Sequence, residues 1–213
     1  MSVDLSLPWQ VIEGDCLDVM RGLPDGCVDA VVTDPPYGTG WMRTARGTSM
    51  GEFRGEFERP EWDVWDERWI VESRRFARGG AFLLPRSRLA DALRAVPDAR
   101  LAFYVKSNPR PNGPAVEPVI LWGTVKSPGY DITAYNGDTP LHPCQKPLEV
   151  MSWMMGGVDE GALILDPFCG SGSTGVAAVQ MGYRFLGIER EASYCDIARR
   201  RIADAAAQGR LAL

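Results

Sequence analysis

Short apolar runs separated by amphipathic stretches recur along this 213-residue chain. Runs of aliphatic and β-branched residues between turn residues are typical of buried strands, and apolar residues at helical spacing are typical of helices. Seven strands are predicted at residues 9–13, 28–33, 81–84, 101–106, 118–122, 162–165 and 185–188. Helices are predicted at residues 16–21, 61–78, 86–96 and 193–207, with two more that end near residues 155 and 181. This alternation predicts an α/β fold with a mostly parallel sheet and helices on both faces.

Three stretches depart from this alternation. The ten residues at 107–116 are too few for a crossover helix, so the strands that flank them are predicted to form an antiparallel hairpin. Residues 38–60 show no clear period and predict a long loop, which either closes over a substrate or is a disordered insertion. Residues 123–141 are polar and turn-rich. In addition, Gly79-Gly80 is expected to end the helix at 61–78.

Composition and charge narrow the function classes. Hydrophobic residues make up 45% of the chain, yet no apolar run reaches the roughly 18 residues that a membrane span needs. No signal-peptide pattern is visible at the N-terminus, so we expect a cytoplasmic protein with no membrane partner. The net charge of −5 argues against nucleic-acid binding through a global positive field. A local patch could serve instead, and Lys106, Arg110 and Lys126 are the candidates. An ordinary solvated surface is the alternative interpretation of these residues.

The cysteines and the histidine do not predict a metal site. The five cysteines are scattered and no two have C-x-x-C spacing, and the chain contains one histidine. A zinc site would need a closer set of such ligands. An odd, scattered set of thiols is typical of a reducing cytoplasm.

The tetrapeptide Asp34-Pro35-Pro36-Tyr37 follows the strand predicted at 28–33. Open α/β sheets place ligands at the carboxyl ends of their strands. Because proline fixes φ and restricts the residue before it, the Asp34 carboxylate and the Pro35 carbonyl would be rigidly held acceptors, beside an aromatic face for stacking. Such a site suits the exocyclic amine of a nucleobase, which becomes a better nucleophile when both N–H groups are held. A proline pair also ends many strands, so the tetrapeptide alone leaves that simpler interpretation open.

A second predicted strand end carries a glycine-rich loop. Residues 166–175 read Asp-Pro-Phe-Cys-Gly-Ser-Gly-Ser-Thr-Gly and lead into a helix, and Glu189 ends the next strand. Glycines let the backbone approach a ligand, the helix N-terminus exposes N–H groups, and an acid at the next strand end can accept from ribose hydroxyls. Residues 170–175 also fit the G-x-G-x-x-G fingerprint of nicotinamide-dependent dehydrogenases. The acid at 166 suits the amino-acid end of S-adenosylmethionine better.

Together these motifs resemble those of the S-adenosylmethionine-dependent DNA amino-methyltransferases. Residues 34–37 are similar to the catalytic motif of that family, and residues 166–172 resemble its cofactor loop. Residues 142–147, His-Pro-Cys-Gln-Lys-Pro, are similar to the segment that precedes that loop, and Gly14-Asp15-Cys16 resembles the contact to the cofactor adenine. The catalytic motif precedes the cofactor loop here, which is the permuted order of the β group.

The resemblance implies a fold and a role for each matching residue. The fold would be a Rossmann-like methyltransferase fold with a seven-stranded sheet. The catalytic residues would be Asp34, Pro35, Pro36 and Tyr37, and no metal would be needed. The residues that bind S-adenosyl-L-methionine would be Asp15, Cys16, Asp34, His142, Gln145, Lys146, Asp166, Pro167, Phe168, Gly170, Ser171, Gly172, Ser173, Glu189 and Arg190.

The resemblance also implies one catalytic domain over residues 1–213. Its catalytic half would span about 10–122, a short recognition segment about 123–141, and the cofactor half about 142–213. The recognition segment is shorter than is usual in the family. Because base readout in a groove needs several placed side chains, recognition of a long site is not expected unless the 38–60 loop, the hairpin or a second subunit of a homodimer contributes.

The expected reaction is methyl transfer to the exocyclic amine of a DNA base that is flipped out of the helix. The aspartate that opens the catalytic motif favours N6 of adenine by family resemblance, and N4 of cytosine is the alternative. An RNA substrate, a nicotinamide-dependent dehydrogenase and a non-catalytic DNA- or cofactor-binding protein also stay open. A restriction-modification setting is a further expectation of the resemblance.

Overall fold

The computed structural model of the protein describes residues 3–38, 64–107, 115–126, 131–134 and 146–209. Its strands are β1 (Trp9–Glu13), β2 (Ala30–Thr33), β3 (Gly79–Leu83), β4 (Arg100–Lys106), β5 (Val116–Gly123), β6 (Ile132–Ala134), β7 (Leu163–Asp166) and β8 (Arg184–Glu189). Its helices are α1 (Cys16–Arg21), α2 (Arg68–Phe76), α3 (Leu89–Ala95), α4 (Leu148–Met155), α5 (Ser173–Gln180) and α6 (Ala192–Gln208), with a 3₁₀ turn at Arg86–Arg88 before α3. Most of the predicted 38–60 loop, of the hairpin turn and of the 123–141 segment lies outside the described residues.

The described strands form one eight-stranded sheet in the order β1-β8-β7-β2-β3-β5-β4-β6. Strand β5 runs antiparallel to both of its neighbours, and the other pairs are parallel. The predicted hairpin of β4 and β5 is therefore confirmed, and so is the mostly parallel α/β sheet. The expected number of seven strands is wrong, because β6 adds a strand at the edge beside β4. This strand has only three residues within a polar, turn-rich stretch, so it lacks the apolar pattern that marks a buried strand.

Two apolar clusters lie on the two faces of the sheet. Along β2, the side chains of Ala30 and Val32 join the cluster under α4, α5 and α6, whereas Val31 joins the cluster under α1, α2 and α3. Strand β7 alternates in the same way, since successive side chains of a strand point to opposite faces. The predicted helices on both faces are confirmed.

Strands β2 and β7 lie side by side, with Val31 paired with Leu165. From this pair the chain continues to β3 on one side and to β8 on the other. Open α/β sheets bind ligands at such a point, in the crevice outside the carboxyl ends of the strands. Asp34 follows β2 and Asp166 ends β7, so the fold brings the two predicted motifs to neighbouring strand ends.

The helix predicted at 61–78 is shorter in the structure and begins at Arg68 within the described residues. The prediction that Gly79-Gly80 ends this helix is wrong, because both glycines belong to β3. A Cβ atom on Gly80 would lie 2.5 Å from Nε1 of Trp122 on β5, so the glycine is required for close packing between neighbouring strands.

The structure does not bring Lys106 and Lys126 of the predicted basic patch together. Lys106 ends β4 at the edge where β5 begins, whereas Lys126 follows the end of β5 at the opposite edge of the sheet. The Lys106 side chain is only 14% exposed, and its ammonium lies 2.6 Å from the Glu117 carboxylate. Arg110 lies outside the described residues. No helix in the described part of the chain is long and apolar enough to cross a membrane.

Candidate active site

A buried carboxylate joins the ends of β2 and β7. Asp166 is 2% exposed, and its Oδ1 accepts a hydrogen bond of 2.5 Å from the hydroxyl of Thr33. Its Oδ2 accepts one of 2.5 Å from the hydroxyl of Thr174 on α5, and the backbone N–H of Phe168 donates to Oδ1 at 3.0 Å. Because Thr33 directly precedes Asp34, this carboxylate connects the predicted catalytic motif with the glycine loop and its helix.

The charge of Asp166 is costly in this position. Burial raises the pKa of the Asp166 carboxyl from 3.8 to about 6, although the hydrogen bonds from Thr174, Thr33 and Phe168 act to lower it. The charge of Asp34 also acts to raise it. The hydrogen bond from Thr33, which precedes Asp34, to Asp166 joins the end of β2 to the end of β7. The predicted meeting of the two motifs in space is therefore present in the structure.

Asp34 is held by two side chains. Lys146 donates a hydrogen bond of 2.7 Å to its Oδ2, and the Tyr37 hydroxyl donates one of 2.8 Å to its Oδ1. The Lys146 ammonium also lies 5.1 Å from the centre of the Tyr37 ring and 3.3 Å from its hydroxyl. Burial raises the pKa of the Asp34 carboxyl; Lys146 opposes this rise and the Glu117 charge adds to it. The site thus holds a fixed carboxylate beside an aromatic ring.

Two residues that sequence reasoning did not assign to the site extend this network. Glu117 lies near the start of β5, at the same end of the sheet as Asp34, and is 4% exposed. Its Oε1 accepts a hydrogen bond of 2.6 Å from Lys106, and its Oε2 lies 3.6 Å from the Lys146 ammonium and 3.3 Å from the Tyr37 hydroxyl. Although burial acts to raise it, the pKa of Glu117 is held below its usual value by the two ammonium groups. A lone acid within an apolar strand was the sequence signal that could have identified it.

The glycine loop has the conformation and the open side that a cofactor loop needs. Gly170 and Gly172 have φ values of 51° and 85°, which L side chains rarely adopt. A Cβ atom on Gly172 would lie 3.0 Å from Ala198, so this glycine packs against α6. On Gly170 the nearest atom to a Cβ would be the Phe168 carbonyl oxygen at 3.9 Å, so that side of the loop is open. The buried hydroxyl of Ser173 has no hydrogen-bond partner among the described residues, which fits a polar ligand at the start of α5.

Two side chains, one at the end of β8 and one on α6, hold this loop in place. The Glu189 carboxylate accepts hydrogen bonds from the backbone N–H groups of Gly170 at 2.8 Å and of Glu191 at 3.0 Å. Burial raises the pKa of Glu189. From α6, Arg201 donates to the backbone carbonyl of Ser171 at 2.5 Å and to its hydroxyl at 3.1 Å. Arg201 was not predicted, and no motif in the sequence indicated it.

The residues predicted to contact the cofactor adenine lie beside β8. The backbone N–H of Gly14 donates to the Glu189 carbonyl at 2.9 Å, which places Asp15 and Cys16 next to the end of that strand. Asp15 caps α1, because its Oδ1 accepts from the backbone N–H groups of Leu17 at 2.9 Å and Asp18 at 3.3 Å.

The remaining predicted site residues differ in how deeply they are buried, and two of them lie outside the described residues. The ring of Phe168 packs edge-on against Trp69 at 5.4 Å, Pro35 and Pro167 are buried, and Pro36 is half-buried. Arg190 lies near the surface, 3.5 Å from the Glu191 carboxylate. Lys146, assigned to the cofactor from sequence, contacts Asp34. His142 and Gln145 lie outside the described residues. No three His, Cys, Asp or Glu side chains in the described ranges are grouped so as to hold a metal ion.

Comparisons with known proteins show what this chain is similar to. A family model described as DNA methylase, N6_N4_Mtase, matches residues 104–200, from β4 to α6. The Type II methyltransferase M2.MboI of Moraxella bovis is 25% identical over 243 aligned residues, which cover 91% of this chain and 87% of that protein.

Two solved structures share the fold. The crystal structure of the M1.HpyAVI–SAM complex has a TM-score of 0.67 at 19% identity and covers 91% of this chain and 98% of its own. The PvuII DNA methyltransferase, which is cytosine-N4-specific, has a TM-score of 0.66 at 12% identity and covers 94% of this chain and 92% of its own. The chain is therefore similar to DNA methylases over residues 104–200, and it shares the fold of the solved DNA methyltransferases.

Proposed function

We propose that this protein transfers a methyl group from S-adenosylmethionine to the exocyclic amine of a DNA base, with N6 of adenine favoured. The observation that carries the proposal is the hydrogen bond between Thr33 and Asp166, which holds Asp34 beside the glycine loop. A base bound at Asp34 and a cofactor bound at that loop would face each other across the crevice. Methyl transfer needs little else, since orientation of the two reactants supplies much of the rate enhancement.

The glycine loop and its surroundings fit the cofactor, which supplies an electrophilic methyl group when bound. The Ser173 hydroxyl and the N–H groups at the start of α5 suit a carboxylate. The Glu189 carboxylate suits ribose hydroxyls, and Asp15 with Cys16 would border the adenine. We assign Asp166 to support of the loop rather than to direct contact, because its side chain is only 2% exposed and is enclosed by hydrogen bonds from Thr33, Thr174 and Phe168.

The base side of the site explains how the amine is activated. Asp34 and the Pro35 carbonyl would accept its two N–H groups, which favours tetrahedral nitrogen and frees the lone pair. The Asp34 charge also stabilises the positive charge that develops on the amine during transfer. The Tyr37 ring provides a stacking face, and flipping the base out of the duplex would cost roughly a few kcal/mol.

Several narrower features belong to the same proposal. The order of the motifs supports assignment to the β group, and strands from both the catalytic and the cofactor halves share one sheet, which supports a single catalytic domain. We propose DNA as the partner, a cytoplasmic setting and a role in restriction-modification. The short 123–141 segment supports a short recognition site, read with the help of the 38–60 loop or of a second subunit.

The test is methylation of unmethylated genomic DNA with a labelled methyl donor, followed by digestion and identification of the modified nucleoside. We expect N6-methyladenine, no transfer by Asp34→Ala, and cofactor binding by that variant close to wild type. Loss of cofactor binding in Asp34→Ala would contradict its assignment to the base side.

Four other results of these assays would each indicate a different function. N4-methylcytosine as the sole product would select the cytosine alternative. Preferred transfer to RNA in a competition assay would change the substrate class. Cofactor binding without transfer to any nucleic acid would indicate a binding protein, and selective binding of a nicotinamide cofactor would indicate a dehydrogenase.

A further inference from the structure

Glu117 lies at the catalytic end of the sheet, and the proposed reaction does not yet use it. Glu117 belongs to a run of four alternating charges. Lys106 pairs with Glu117, and Lys146 lies between Glu117 and Asp34. All four side chains are at most 18% exposed. Buried charges of this kind persist only when they are paired, so the position of each ion depends on its neighbours.

The Tyr37 hydroxyl has two carboxylate acceptors but one proton to donate. It lies 2.8 Å from Asp34 Oδ1 and 3.3 Å from Glu117 Oε2. The other oxygen of Asp34 accepts from Lys146 at 2.7 Å. An amine that approaches Asp34 would therefore compete with hydrogen bonds that both carboxylate oxygens already accept. Glu117 offers an alternative acceptor for the hydroxyl within a short movement.

We propose that Glu117 is a positioning residue for methyl transfer, which accepts the Tyr37 hydroxyl when the target amine reaches Asp34 and holds Lys146 between the two carboxylates. This inference rests on the proposed function. The exchange changes only hydrogen-bond partners: Tyr37 keeps its proton, and no covalent bond forms or breaks.

Removal of the Glu117 charge should lower the pKa of Asp34. The negative charge of Glu117 raises the pKa of Asp34, whereas Lys146 lowers it. Without Glu117, the charge that raises the pKa of Asp34 is gone while Lys146 still lowers it, so the pKa of Asp34 should fall. Asp166 on β7 and Tyr104 on β4 also face this group of charges, and both stay in place in such a variant.

The direct test is Glu117→Gln, which keeps the shape of the side chain and removes its charge. We expect kcat to fall roughly 10- to 100-fold, as for other small misplacements of reacting groups, with cofactor affinity within about twofold of wild type. The acid limb of the pH dependence of kcat should move to lower pH, and Glu117→Asp should recover part of kcat. A purely structural role would lower the fraction of active protein and leave the acid limb where it is.

A second measurement does not depend on any substrate. In protein labelled with ¹³C at the aspartate carboxyl groups, the Asp34 signal, assigned with Asp34→Asn, should titrate at lower pH in Glu117→Gln than in wild type. An unchanged Asp34 titration would overturn the inference even if the enzyme is active. Absence of transfer by the wild type would instead overturn the proposed function, and the titration would still test the inference.

Two further variants control for folding. If Glu117→Gln does not fold because Lys106 loses its partner, the double variant Glu117→Gln with Lys106→Met removes one charge of each sign and should fold. We expect it to show the same shift of the acid limb. The matched control is Glu72→Gln, which removes a partly buried carboxylate paired with Arg75 on α2 and should leave kcat and its pH dependence unchanged.

Discussion

The hydroxyl of Thr33 donates a hydrogen bond of 2.5 Å to the carboxylate of Asp166, although the two residues are 133 positions apart in the sequence. Thr33 is followed by the residue that we place on the target amine, and Asp166 is followed by the loop that we place on the cofactor. The same carboxylate also accepts a hydrogen bond from Thr174 at the start of α5. The two halves of the site are therefore linked through one buried group, as in-line transfer between two bound molecules requires.

Replacing Thr33 with valine removes one donor of this link and keeps the shape of the side chain. We expect the free energy of unfolding to fall by about 1–3 kcal/mol, because a buried carboxylate oxygen loses a hydrogen bond. Methyl transfer should slow more than cofactor binding weakens. Urea denaturation and turnover assays would measure the two effects. The exposed Thr124→Val serves as the control, and equal stability of the two variants would contradict a structural role for the bond.

The raised pKa of Asp166 predicts a pH-dependent stability. The folded carboxyl keeps its proton up to about pH 6, whereas the unfolded one loses it near 3.8. The folded state therefore binds more protons between these values, and this group's contribution to stability is lost as pH rises through about 6. Relative to Asp166→Asn, which cannot ionise, the wild type should lose roughly 3 kcal/mol between about pH 4 and pH 7. Denaturation of both proteins across this range measures it, and parallel stability curves would contradict the prediction.

The sequence was sufficient to predict seven of the eight described strands, the hairpin and the meeting of the two motifs. Each depended on a local signal: apolar runs for β2 and β7, a short connection for β4 and β5, and glycines before α5. The strand β6 had no such signal, since an edge strand of three residues buries little apolar surface. The role of Gly79 and Gly80 was predicted wrongly because glycine is common both at helix ends and where strands pack closely. Only the contact of Gly80 with Trp122, which the sequence does not show, distinguishes these two roles.

The side-chain network around Asp34 could not be predicted because it depends on sheet order. Lys106, Glu117 and Lys146 are far from Asp34 in the sequence, and they come together because β5 runs antiparallel and begins at the end of the sheet where β4 finishes. Lys146 was recognised as a site residue, but its motif match did not indicate the hydrogen bond that it donates to the Asp34 carboxylate. Likewise, Arg201 reaches the glycine loop from the far end of the chain through the packing of α5 and α6.

Substitution of Tyr37 should have a smaller effect when only the hydroxyl is lost than when the ring is lost as well. Tyr37→Phe keeps the ring for stacking and loses the hydrogen bond to Asp34, so we expect a moderate loss of kcat with little change in affinity for DNA. Tyr37→Ala also loses the stacking face and should weaken base binding by about a further 1–3 kcal/mol, as for other aromatic side chains on which bases stack. Turnover and binding to DNA with an unpaired target base would separate the two effects. A full rate in Tyr37→Ala would exclude a stacking role.

Replacement of Arg201 should weaken binding of the cofactor alone. Its guanidinium donates two hydrogen bonds to Ser171 in the glycine loop, and replacement by methionine keeps much of the side-chain length while removing both. The loop should then sample other conformations, and we expect the Kd for S-adenosylmethionine to rise about tenfold, or roughly 1.4 kcal/mol. Titration calorimetry would measure the change.

The control for this prediction lies next to Arg201 on the same helix. Arg200 is exposed, and its guanidinium contacts the backbone carbonyl of Asp196 within α6. Arg200→Met removes the same charge without touching the loop and should bind the cofactor as the wild type does. If both variants weaken binding equally, the loss comes from net charge rather than from the hydrogen bonds to Ser171. If neither does, the glycine loop keeps its shape through Glu189 and α6 packing at Gly172 alone.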